Sequence, residues 1–465
     1  MASSSPLSPN WAAIRHVTLD SRQVRAGSLF LALPGTRVDG AAFAKDAAEQ
    51  GAAAILLDAK TDPALIPAGP EILLSDNPAA DAARLCAEFF TPGPAKVAGV
   101  TGTNGKTSVT WFARQLLERA GKNAVSAGTL GLMPPSLGAL PALTSPDPVS
   151  LHGALQHAAG KGFDHLVLEA SSHGLDQHRL DGLRFDVAAF TNLSQDHLDY
   201  HPDMAAYRAA KLRLLELKKA GGLTITNADD AAFGDLEGWS YGHSGKEGKI
   251  LTAEPTSNGI HLKTEEFDLE LPLIGTFQGH NLVCAWLIAR ALGTETAEHL
   301  GRATSVPGRM ETVAQHRDGG LALVDYAHTP DALITALNAL RPHTTGRLIC
   351  VFGAGGNRDQ GKRPLMGKAA HDLADVAIIT DDNPRFEDPA LIRATIKEAC
   401  PDGLEIGDRR AAIAEALNLA KGGDLVLIAG KGHESGQTQG STTRPFDDRD
   451  VTRELAAQSQ SWSAL

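Results

Sequence analysis

Short apolar runs alternate with longer amphipathic stretches along most of the 465 residues. A short continuous apolar run is typical of a buried strand in a parallel sheet, and an amphipathic stretch is typical of the helix that connects two such strands. The repeated alternation therefore predicts an α/β fold. Because the chain is too long for one ordinary domain, the sequence also predicts more than one.

The pattern divides the chain into three blocks. The first block contains strand candidates at 28–33 and 53–57 and a helical pattern over 76–90. Residues 91–95 follow, in which two prolines and a glycine interrupt the pattern and indicate a linker. The predicted domains are 1–93, 94–308 and 309–465.

The second and third blocks repeat the buried-strand pattern. In the second block, strands are predicted at 96–100, 165–169, 187–191 and 223–227. In the third block, they are predicted at 321–325, 348–352, 376–380 and 425–429. Ligands in open α/β sheets bind at the carboxyl ends of the strands, so we expect the functional residues at these ends.

Composition and charge narrow the class of protein. Apolar residues make up 43% and charged residues 21% of the chain, as in an ordinary soluble enzyme. The formal net charge of -12 argues against a nucleic-acid-binding surface, which is usually basic, and we expect no nucleic-acid partner. Local basic pockets for an anionic substrate remain compatible with this charge.

Cysteine spacing and the N-terminal sequence bear on the compartment. The four cysteines, Cys86, Cys284, Cys350 and Cys400, are far apart and form no Cys-x-x-Cys pair. This spacing predicts neither a disulfide framework nor a zinc site, and it fits a reducing compartment. The N-terminal residues have no basic segment followed by an apolar core, and no run approaches the length of a membrane span. We therefore expect a cytoplasmic enzyme without a membrane span.

A glycine-rich turn follows the predicted strand 96–100 and precedes an amphipathic stretch. Residues 99–108 read Gly-Val-Thr-Gly-Thr-Asn-Gly-Lys-Thr-Ser. Glycines let backbone N–H groups point at phosphate oxygens, and the N-terminus of a helix adds a favourable dipole. Lys106 would neutralise the terminal phosphates and Thr107 would reach Mg²⁺. Val100 occupies the first glycine position of the strict phosphate-loop pattern, but the strand, the glycines and the helix together favour nucleotide binding.

The segment Thr-Gly-Thr-Asn-Gly-Lys-Thr-Ser closely resembles the ATP loop of the Mur ligases, and the similarity extends through nearly the whole chain. The resemblance implies an N-terminal UDP-substrate domain, a central phosphate-loop-type ATPase domain with a mostly parallel sheet, and a Rossmann-like C-terminal domain for the incoming amino acid. It also implies an ATP-dependent ligase with Mg²⁺ as cofactor, and it suggests a monomer. The implied ATP-binding loop residues are Gly102, Thr103, Asn104, Gly105, Lys106, Thr107 and Ser108.

Metal ligands are implied at two segments beyond the loop. Residues 169–179 contain Glu-x-Ser-Ser-His-Gly-Leu, a motif typical of the family, directly after a predicted strand. A carboxylate at a strand end beside a phosphate loop suits Mg²⁺, which prefers oxygen ligands. The resemblance implies that Glu169 and His197 bind the metal together with Thr107. Without the resemblance, a helix-capping acid and a solvated histidine would be the ordinary interpretation.

The resemblance also implies a set of catalytic residues. Lys211 resembles the lysine that is carbamylated in the family (N6-carboxylysine), a modification that turns a cation into an anion that helps to place Mg²⁺. Arg309 would clamp the γ-phosphate, because a guanidinium fork suits phosphate oxygens. Asn281 is implied as the contact to adenine. The implied catalytic residues are Lys106, His197, Lys211 and Arg309.

The UDP-sugar peptide is assigned by the resemblance to a third group of residues. These are Ser21, Thr144, Ser145, Ser171, Gln177 and Arg179. Residues 19–22, Leu-Asp-Ser-Arg, resemble the family's uridine-side motif. Residues 143–147 read Leu-Thr-Ser-Pro-Asp and depart from the common Thr-Thr-Pro pattern, with Ser145 in place of the second threonine. Since serine keeps the hydroxyl, we expect this contact to remain.

The segment Asp-Asp-Asn-Pro-Arg at 381–385 bears on the choice of amino acid. It resembles the form of the family that adds meso-2,6-diaminopimelate, whereas lysine-adding relatives carry another residue at the position of Arg385. Diaminopimelate has a distal carboxylate that lysine lacks, and an arginine can hold it with two hydrogen bonds. The implied amino-acid pocket consists of Arg358, Asp382, Asn383, Pro384, Arg385, Gly430 and Glu434, with Glu434 paired to an ammonium group.

The implied reaction joins meso-2,6-diaminopimelate to the D-glutamate γ-carboxylate of UDP-N-acetylmuramoyl-L-alanyl-D-glutamate through an acyl phosphate. One alternative is a lysine-adding ligase, against which Arg385 argues. A second is another amide ligase of the superfamily, such as a folylpolyglutamate synthase, which lacks an N-terminal domain of this kind. A third is a non-catalytic nucleotide-binding regulator, which would not need Glu169, His197, Lys211 and the amino-acid pocket together.

Overall fold

The computed structural model of the chain describes residues 7–35, 38–141, 143–295 and 297–465. The described residues form two compact units, one within Met1–Gly248 and Cys284–Thr296 and the other within Lys249–Val283 and Ala297–Leu465. None of the described helices combines the length and the apolar character that crossing a bilayer requires.

The first unit begins with a parallel sheet of four strands in chain order. Its strands are β1 (His16–Thr18), β2 (Ser28–Leu31), β3 (Ala52–Asp58) and β4 (Glu71–Ser75), and its helices are α1 (Ala44–Glu49) and α2 (Pro78–Phe89). The side chains of β3 alternate between two apolar cores, with Ala54 and Leu56 on one face and Ile55 and Leu57 on the other. Both faces are therefore covered, as a parallel sheet requires.

A second sheet of the same unit carries the glycine-rich turn. Its strands within this unit are β5 (Lys96–Thr101), β6 (Ala124–Gly128), β7 (Gly131–Met133), β8 (His165–Glu169), β9 (Phe185–Phe190), β10 (Lys218–Asn227) and β11 (Trp239–Gly242). They lie in the order β11-β10-β9-β5-β8-β6-β7, parallel except for β7. The helices are α3 (Lys106–Arg119), α4 (Pro148–Gly160), α5 (Ser172–Asp176) and α6 (Met204–Glu216). Because β5 lies between β8 and β9, the segments that follow these three strands meet at one edge.

The second unit contains an antiparallel ribbon and a larger sheet. The ribbon consists of β12 (Gly248–Thr256), β13 (Gly259–Thr264) and β14 (Asp268–Leu271), and α7 (Phe277–Ala291) follows it. The strands of the larger sheet are β15 (Glu311–His316), β16 (Leu321–Asp325), β17 (Leu348–Phe352), β18 (Val376–Ile379), β19 (Leu404–Glu405), β20 (Leu425–Ala429) and β23 (Trp462–Ala464). Two further strands, β21 (Gly436–Gln439) and β22 (Thr442–Pro445), form a separate hairpin.

The larger sheet has the order β19-β18-β17-β20-β16-β15-β23. Five neighbouring strands, from β19 to β16, are parallel. The helices are α8 (Pro330–Leu340), α9 (Lys362–Leu373), α10 (Pro389–Glu398), α11 (Arg409–Leu419) and α12 (Asp448–Gln458). Alternate residues of β17 enter two different cores, with Leu348, Cys350 and Phe352 on one face and Ile349 and Val351 on the other. The α/β prediction is confirmed.

The cysteines are free thiols in the interior. Cys86, Cys284, Cys350 and Cys400 are all buried. Burial raises the pKa of all four thiols, that of Cys284 to about 12. They are consequently unreactive at neutral pH.

Candidate active site

The glycine-rich turn joins β5 to α3, and its glycines have conformations that other residues adopt at a cost. Gly102 has a φ of 147° and Gly105 has a φ of 84°. A Cβ atom on Gly102 would also clash with the hydroxyl of Thr191. Glycine is therefore required at position 102 by both backbone conformation and space.

The segment after β9 holds this turn in place. The N–H of Thr103 donates to the carbonyl of Asn192 at 2.8 Å, and the N–H of Asn104 donates to its Oδ1 at 3.0 Å. The Thr191 hydroxyl donates to the carbonyl of Asn104 at 2.6 Å. The Thr103 hydroxyl also donates to the carbonyl of Ser194 at 3.1 Å. These hydrogen bonds consequently fix the conformation of the turn.

Lys106 begins α3 and folds back over the turn. Its Nζ donates to the carbonyls of Gly102 at 2.9 Å and Thr103 at 2.7 Å. The ammonium group therefore lies at the turn, where it would form an ion pair with a phosphate bound by backbone N–H groups. Ser108, the remaining polar residue at the start of the helix, is buried in the first turn of α3.

Glu169 is the last residue of β8 and has a buried carboxylate. Its Oε2 accepts hydrogen bonds from the hydroxyls of Thr107 at 3.0 Å and Thr129 at 3.1 Å. Its Oε1 accepts from the N–H of Thr129 at 2.8 Å. Burial raises the pKa of Glu169, and the charge of Lys106 opposes that increase. Thr129, which the sequence patterns did not single out, is thus a close partner of the predicted metal ligand.

His197 lies in a cluster of rings near the turn. Its ring centroid is 4.9 Å from that of His173 and 6.1 Å from that of Tyr207, whose hydroxyl is 3.2 Å from the Thr103 hydroxyl. Asp196 lies 3.5 Å from its Nε2. Among the described residues, His197 makes no hydrogen bond or ion pair with Glu169 or Thr107. The ring of Tyr207 therefore lies between His197 and the turn.

Lys211 is fully buried on α6, with 1% of its surface exposed. Its Nζ donates to the carbonyl of Gly102 at 2.8 Å and lies 4.2 Å from the centre of the Tyr207 ring. Burial, together with the positive charge of Lys106, lowers the pKa of Lys211 to about 6. At neutral pH its side chain is accordingly an uncharged amine.

The donor set around Glu169 fits Mg²⁺. Mg²⁺ usually takes one or two carboxylates and keeps its other positions for phosphate oxygens and water. Glu169 is buried, and the donors to it among the described residues are two hydroxyls and one backbone N–H, so a divalent cation beside it would offset its charge further than Lys106 does. Within the described ranges, no group of three or more His, Cys, Asp or Glu side chains is placed to enclose a metal. One buried carboxylate beside the turn suits Mg²⁺ that also binds phosphate oxygens and water.

Residues predicted for the UDP-sugar peptide gather around Ser145, which is 1% exposed. Its hydroxyl donates to the carbonyl of Glu169 at 3.0 Å and accepts from the Ser171 hydroxyl at 2.9 Å. Arg179 donates to the carbonyl of Ser145 at 2.8 Å and also bonds Gln177. Ser145 therefore connects the strand end at Glu169 to the segment that carries the other predicted contacts.

The two remaining residues of this group lie at different distances from that cluster. The Thr144 hydroxyl is 3.3 Å from the hydroxyl of Thr129, so it adjoins Glu169. Ser21 begins the helical turn Ser21–Gln23 after β1. The contacts of the described residues do not join Ser21 to Ser145 or its neighbours.

In the second unit, Arg309 lies over an aromatic ring. Its guanidinium carbon is 4.6 Å from the centre of the Tyr326 ring, and that ring also contacts the ring of His433. Asp325 ends β16 and accepts from the N–H of Met310 at 2.8 Å. Burial raises the pKa of Asp325, and Arg309 opposes the increase. Asn281, on α7, instead donates to Gln278 at 2.9 Å.

The predicted amino-acid pocket is assembled from the ends of β18 and β20. The Nδ2 of Asn383 donates to Oε2 of Glu434 at 3.0 Å. Gly430 has a φ of 121°, and a Cβ there would lie 2.6 Å from Oδ2 of Asp382. Pro384 is buried beside them, whereas Arg358 is exposed. The structure thus brings four of the predicted residues into contact.

Arg385 is held by its backbone and by one end of its guanidinium. Its N–H donates to the carbonyl of Thr438 on β21 at 3.0 Å, and its φ is 53°. Nη1 donates to the carbonyl of Gly356 at 2.9 Å. Among the described residues, Nε and Nη2 have no hydrogen-bond partner and the side chain has no acidic partner. The guanidinium is therefore oriented but electrostatically unpaired.

Family models match three parts of the chain. Residues 13–90 match "Mur ligase family, catalytic domain", residues 100–289 match "Mur ligase middle domain", and residues 308–432 match "Mur ligase, glutamate ligase domain". These matches follow the order of the predicted N-terminal, central and C-terminal domains.

Curated relatives and a solved structure are similar over almost the full length. Curated relatives of this chain carry the name UDP-N-acetylmuramoyl-L-alanyl-D-glutamate--2,6-diaminopimelate ligase. The protein from Caulobacter vibrioides is 47% identical, and the similarity covers 94% of each chain. The protein from Bradyrhizobium diazoefficiens is 46% identical, over 94% of this chain and 93% of the relative. A solved structure of a ligase with that name is 34% identical, with a TM-score of 0.70 and coverage of 96% of this chain and 95% of the other. With this similarity along its whole length, the chain belongs to the Mur ligase family.

Proposed function

We propose that the protein is an ATP-dependent amide ligase of peptidoglycan precursor synthesis. It joins meso-2,6-diaminopimelate to the D-glutamate γ-carboxylate of UDP-N-acetylmuramoyl-L-alanyl-D-glutamate. The relatives named for this activity support the proposal across the whole chain.

The unpaired guanidinium of Arg385 is the observation that carries the choice of amino acid. A charged group left without a partner in a half-buried site is costly unless a ligand pairs with it. The distal carboxylate of diaminopimelate would accept from Nε and Nη2, while Nη1 stays on the carbonyl of Gly356. Lysine has no such carboxylate and would bring a second cation to the same place. The site therefore favours diaminopimelate over lysine.

The reaction first needs an activated carboxylate, because a free carboxylate is a poor electrophile. In the proposed mechanism the substrate carboxylate attacks the γ-phosphorus of ATP, which gives an acyl phosphate and ADP. The amine of diaminopimelate then attacks the acyl carbon, and phosphate leaves from a tetrahedral intermediate. The turn at 102–108 would hold the ATP phosphates, while Lys106 and Arg309 would offset charge on the transferred group. Asn281 would contact adenine.

Mg²⁺ is the proposed cofactor, with Thr107 and Glu169 as ligands and His197 as a further one. When bound, it would neutralise charge on the phosphate oxygens. On the UDP-substrate side, the proposed contacts are Ser21, Thr144, Ser145, Ser171, Gln177 and Arg179. We further propose domain boundaries at 93/94 and 308/309, a cytoplasmic location and a monomeric state.

Carbamylation of Lys211 is proposed on the basis of its environment. Only an uncharged amine reacts with carbon dioxide, and the lowered pKa of about 6 leaves Lys211 uncharged at neutral pH. Between this pKa and that of an ordinary lysine, the unfolded chain binds a proton that the folded chain does not, so the cost of this group to folding decreases as pH rises. Carbamylation then becomes possible in the same range.

We expect a ¹³C carbamate signal in protein incubated with ¹³C-bicarbonate, growing as pH is raised through about 6. An ordinary lysine would remain protonated until much higher pH. The measurement is ¹³C NMR of the wild type and of Lys211→Arg. A signal of equal size in the arginine variant, or none in the wild type at pH 8, would contradict the assignment.

Phosphate release tests the proposed function as a whole. The purified protein would be incubated with ATP, Mg²⁺ and UDP-N-acetylmuramoyl-L-alanyl-D-glutamate, and with meso-diaminopimelate, L-lysine or no amino acid. We expect release only with diaminopimelate. Equal release with lysine would leave the ligase assignment standing and remove the argument from Arg385. No release in any reaction, with an active control ligase, would indicate a relative with another acceptor.

A further inference from the structure

A buried lysine lies behind the amino-acid pocket. Lys431 follows Gly430 at the end of β20, and its surface exposure is 0%. Its Nζ donates to the carbonyl of Gly436 at 2.6 Å and to Oδ1 of Asn383 at 3.3 Å. It also lies 3.6 Å from Oε2 of Glu434. A buried ammonium group is costly to desolvate. If Lys431 served only to donate a hydrogen bond to the carbonyl of Gly436, a neutral donor would do so at lower cost.

The contacts of Lys431 determine which way the Asn383 amide points. Oδ1 of Asn383 accepts from Lys431 Nζ and also from the N–H of Thr438 at 2.9 Å. Because both donors lie on the oxygen side, the amide nitrogen must point the other way. It donates to Oε2 of Glu434 at 3.0 Å. The lysine, the amide and the carboxylate thus form one ordered chain of hydrogen bonds.

This chain occupies one oxygen of Glu434 and leaves the other available. Both the Asn383 amide and the Lys431 ammonium contact Oε2. Oε1 has no partner among the described residues, and the side chain is 38% exposed. A carboxylate held at one oxygen presents the second in a fixed direction. Without these contacts, the partly exposed carboxylate of Glu434 would rotate freely. Ion pairs of such mobile, exposed groups contribute little free energy to binding.

We propose that Lys431 is a positioning residue for amino-acid binding: it acts through Asn383 and Glu434 to aim Glu434 Oε1 at an ammonium group of the amino-acid substrate. This inference rests on the proposed function and adds to it a residue that does not itself touch the substrate. Its effect should fall on the amino acid and on neither ATP nor the UDP substrate, because the chain of contacts ends at Glu434.

The test is steady-state phosphate release by the full-length Lys431→Met variant. We expect the KM for meso-diaminopimelate to rise about tenfold, as loss of one charge-assisted contact would produce. The KM values for ATP and for the UDP substrate should stay within about twofold of the wild type. Lys368→Met is the matched control, since Lys368 is an exposed lysine on α9 of the same unit with a single ion pair to Asp372. It should leave all three KM values unchanged.

A double-mutant cycle separates positioning from a general structural role. In a Glu434→Gln background, Lys431→Met should change the KM for diaminopimelate by no more than about twofold, because its route of action is already lost. The inference would be overturned if the effects of Lys431→Met and Glu434→Gln on the KM for diaminopimelate multiplied in the double variant. An unchanged KM in Lys431→Met, or equal increases in all three KM values, would overturn it as well. If Lys431→Met does not yield folded protein, Lys431→Gln carries the same test, since it keeps a donor and removes the charge.

Failure of this inference and failure of the proposed function give different results. Absence of diaminopimelate-driven phosphate release by the wild type would refute the function and, with it, the role of Lys431. An active wild type with an unaltered KM in the Lys431 variants would refute the positioning role alone.

Discussion

Replacing Lys106 with alanine is expected to reduce phosphate release by about 10³-fold or more, to the background of the assay. Its Nζ donates to the carbonyls of Gly102 and Thr103 at 2.9 Å and 2.7 Å, so the ammonium group lies directly at the turn. Alanine would remove the cation that offsets charge on the transferred phosphoryl group. The hydrogen bonds between the turn and Asn192 are made by the N–H groups of Thr103 and Asn104 and not by this side chain, so the variant should fold.

The measurement is the steady-state rate of phosphate release at saturating substrate concentrations. It compares the wild type, Lys106→Ala and a control variant, Lys161→Ala. Lys161 is an exposed lysine that follows α4 in the same unit, and its removal should leave turnover unchanged. Circular dichroism and thermal melting would establish that all three proteins are folded. Near-normal turnover by Lys106→Ala would refute the assignment of the turn as the ATP site.

Replacing Arg385 with alanine is expected to lower kcat/KM for diaminopimelate by about 10²-fold or more. The guanidinium is oriented by the carbonyl of Gly356 and has no acidic partner among the described residues, so a substrate carboxylate is the group it lacks. Without it, that carboxylate would be desolvated and unpaired. The kcat/KM for L-lysine as substrate should fall little or rise, since Arg385→Ala removes a cation that repels the side chain of lysine. A site that binds a polar group discriminates strongly against an analogue without it, and the preference for diaminopimelate should fall accordingly.

The ratio of kcat/KM values for diaminopimelate and lysine is the quantity to measure in Arg385→Ala. Arg410→Ala provides the control, because Arg410 is a partly exposed arginine of the same unit that pairs with Glu454 at 2.8 Å. An unchanged ratio in Arg385→Ala would show that selection resides elsewhere. A loss confined to the UDP substrate would point instead to a role in the other half of the reaction.

Sequence patterns predicted the buried parallel strands best. The predicted strands at 165–169, 321–325, 348–352 and 425–429 coincide with β8, β16, β17 and β20. These strands are covered on both faces, so nearly every residue in them is apolar. In contrast, β6 reads Ala-Val-Ser-Ala-Gly, and its small residues do not distinguish a strand from a turn. The hairpin β21–β22 contains no large apolar residue and could not be predicted from hydrophobic pattern at all.

Local motifs indicated candidate site residues but not the partners that contact them. The turn at 102–108 and Arg385 follow strands, and Glu169 ends one, as the hydrophobic pattern indicated. Thr129 contacts Glu169 from a position 40 residues away, and Thr438 contacts Asn383 from a position 55 residues away. Such contacts depend on the order of strands in the sheet, which a local pattern does not contain. Lys431 was visible in the sequence, but only its burial distinguishes it from a surface lysine.

The buried thiols described above make the protein suitable for site-specific fluorescent labelling. Maleimide dyes need an accessible thiolate, which none of the four native cysteines provides at neutral pH. Cysteines introduced at Lys161 and Arg410 would therefore carry a donor and an acceptor dye, one on each compact unit, with all four native cysteines left in place. Energy transfer between the dyes would report relative movement of the two units on addition of each substrate, in the same molecules whose turnover is measured.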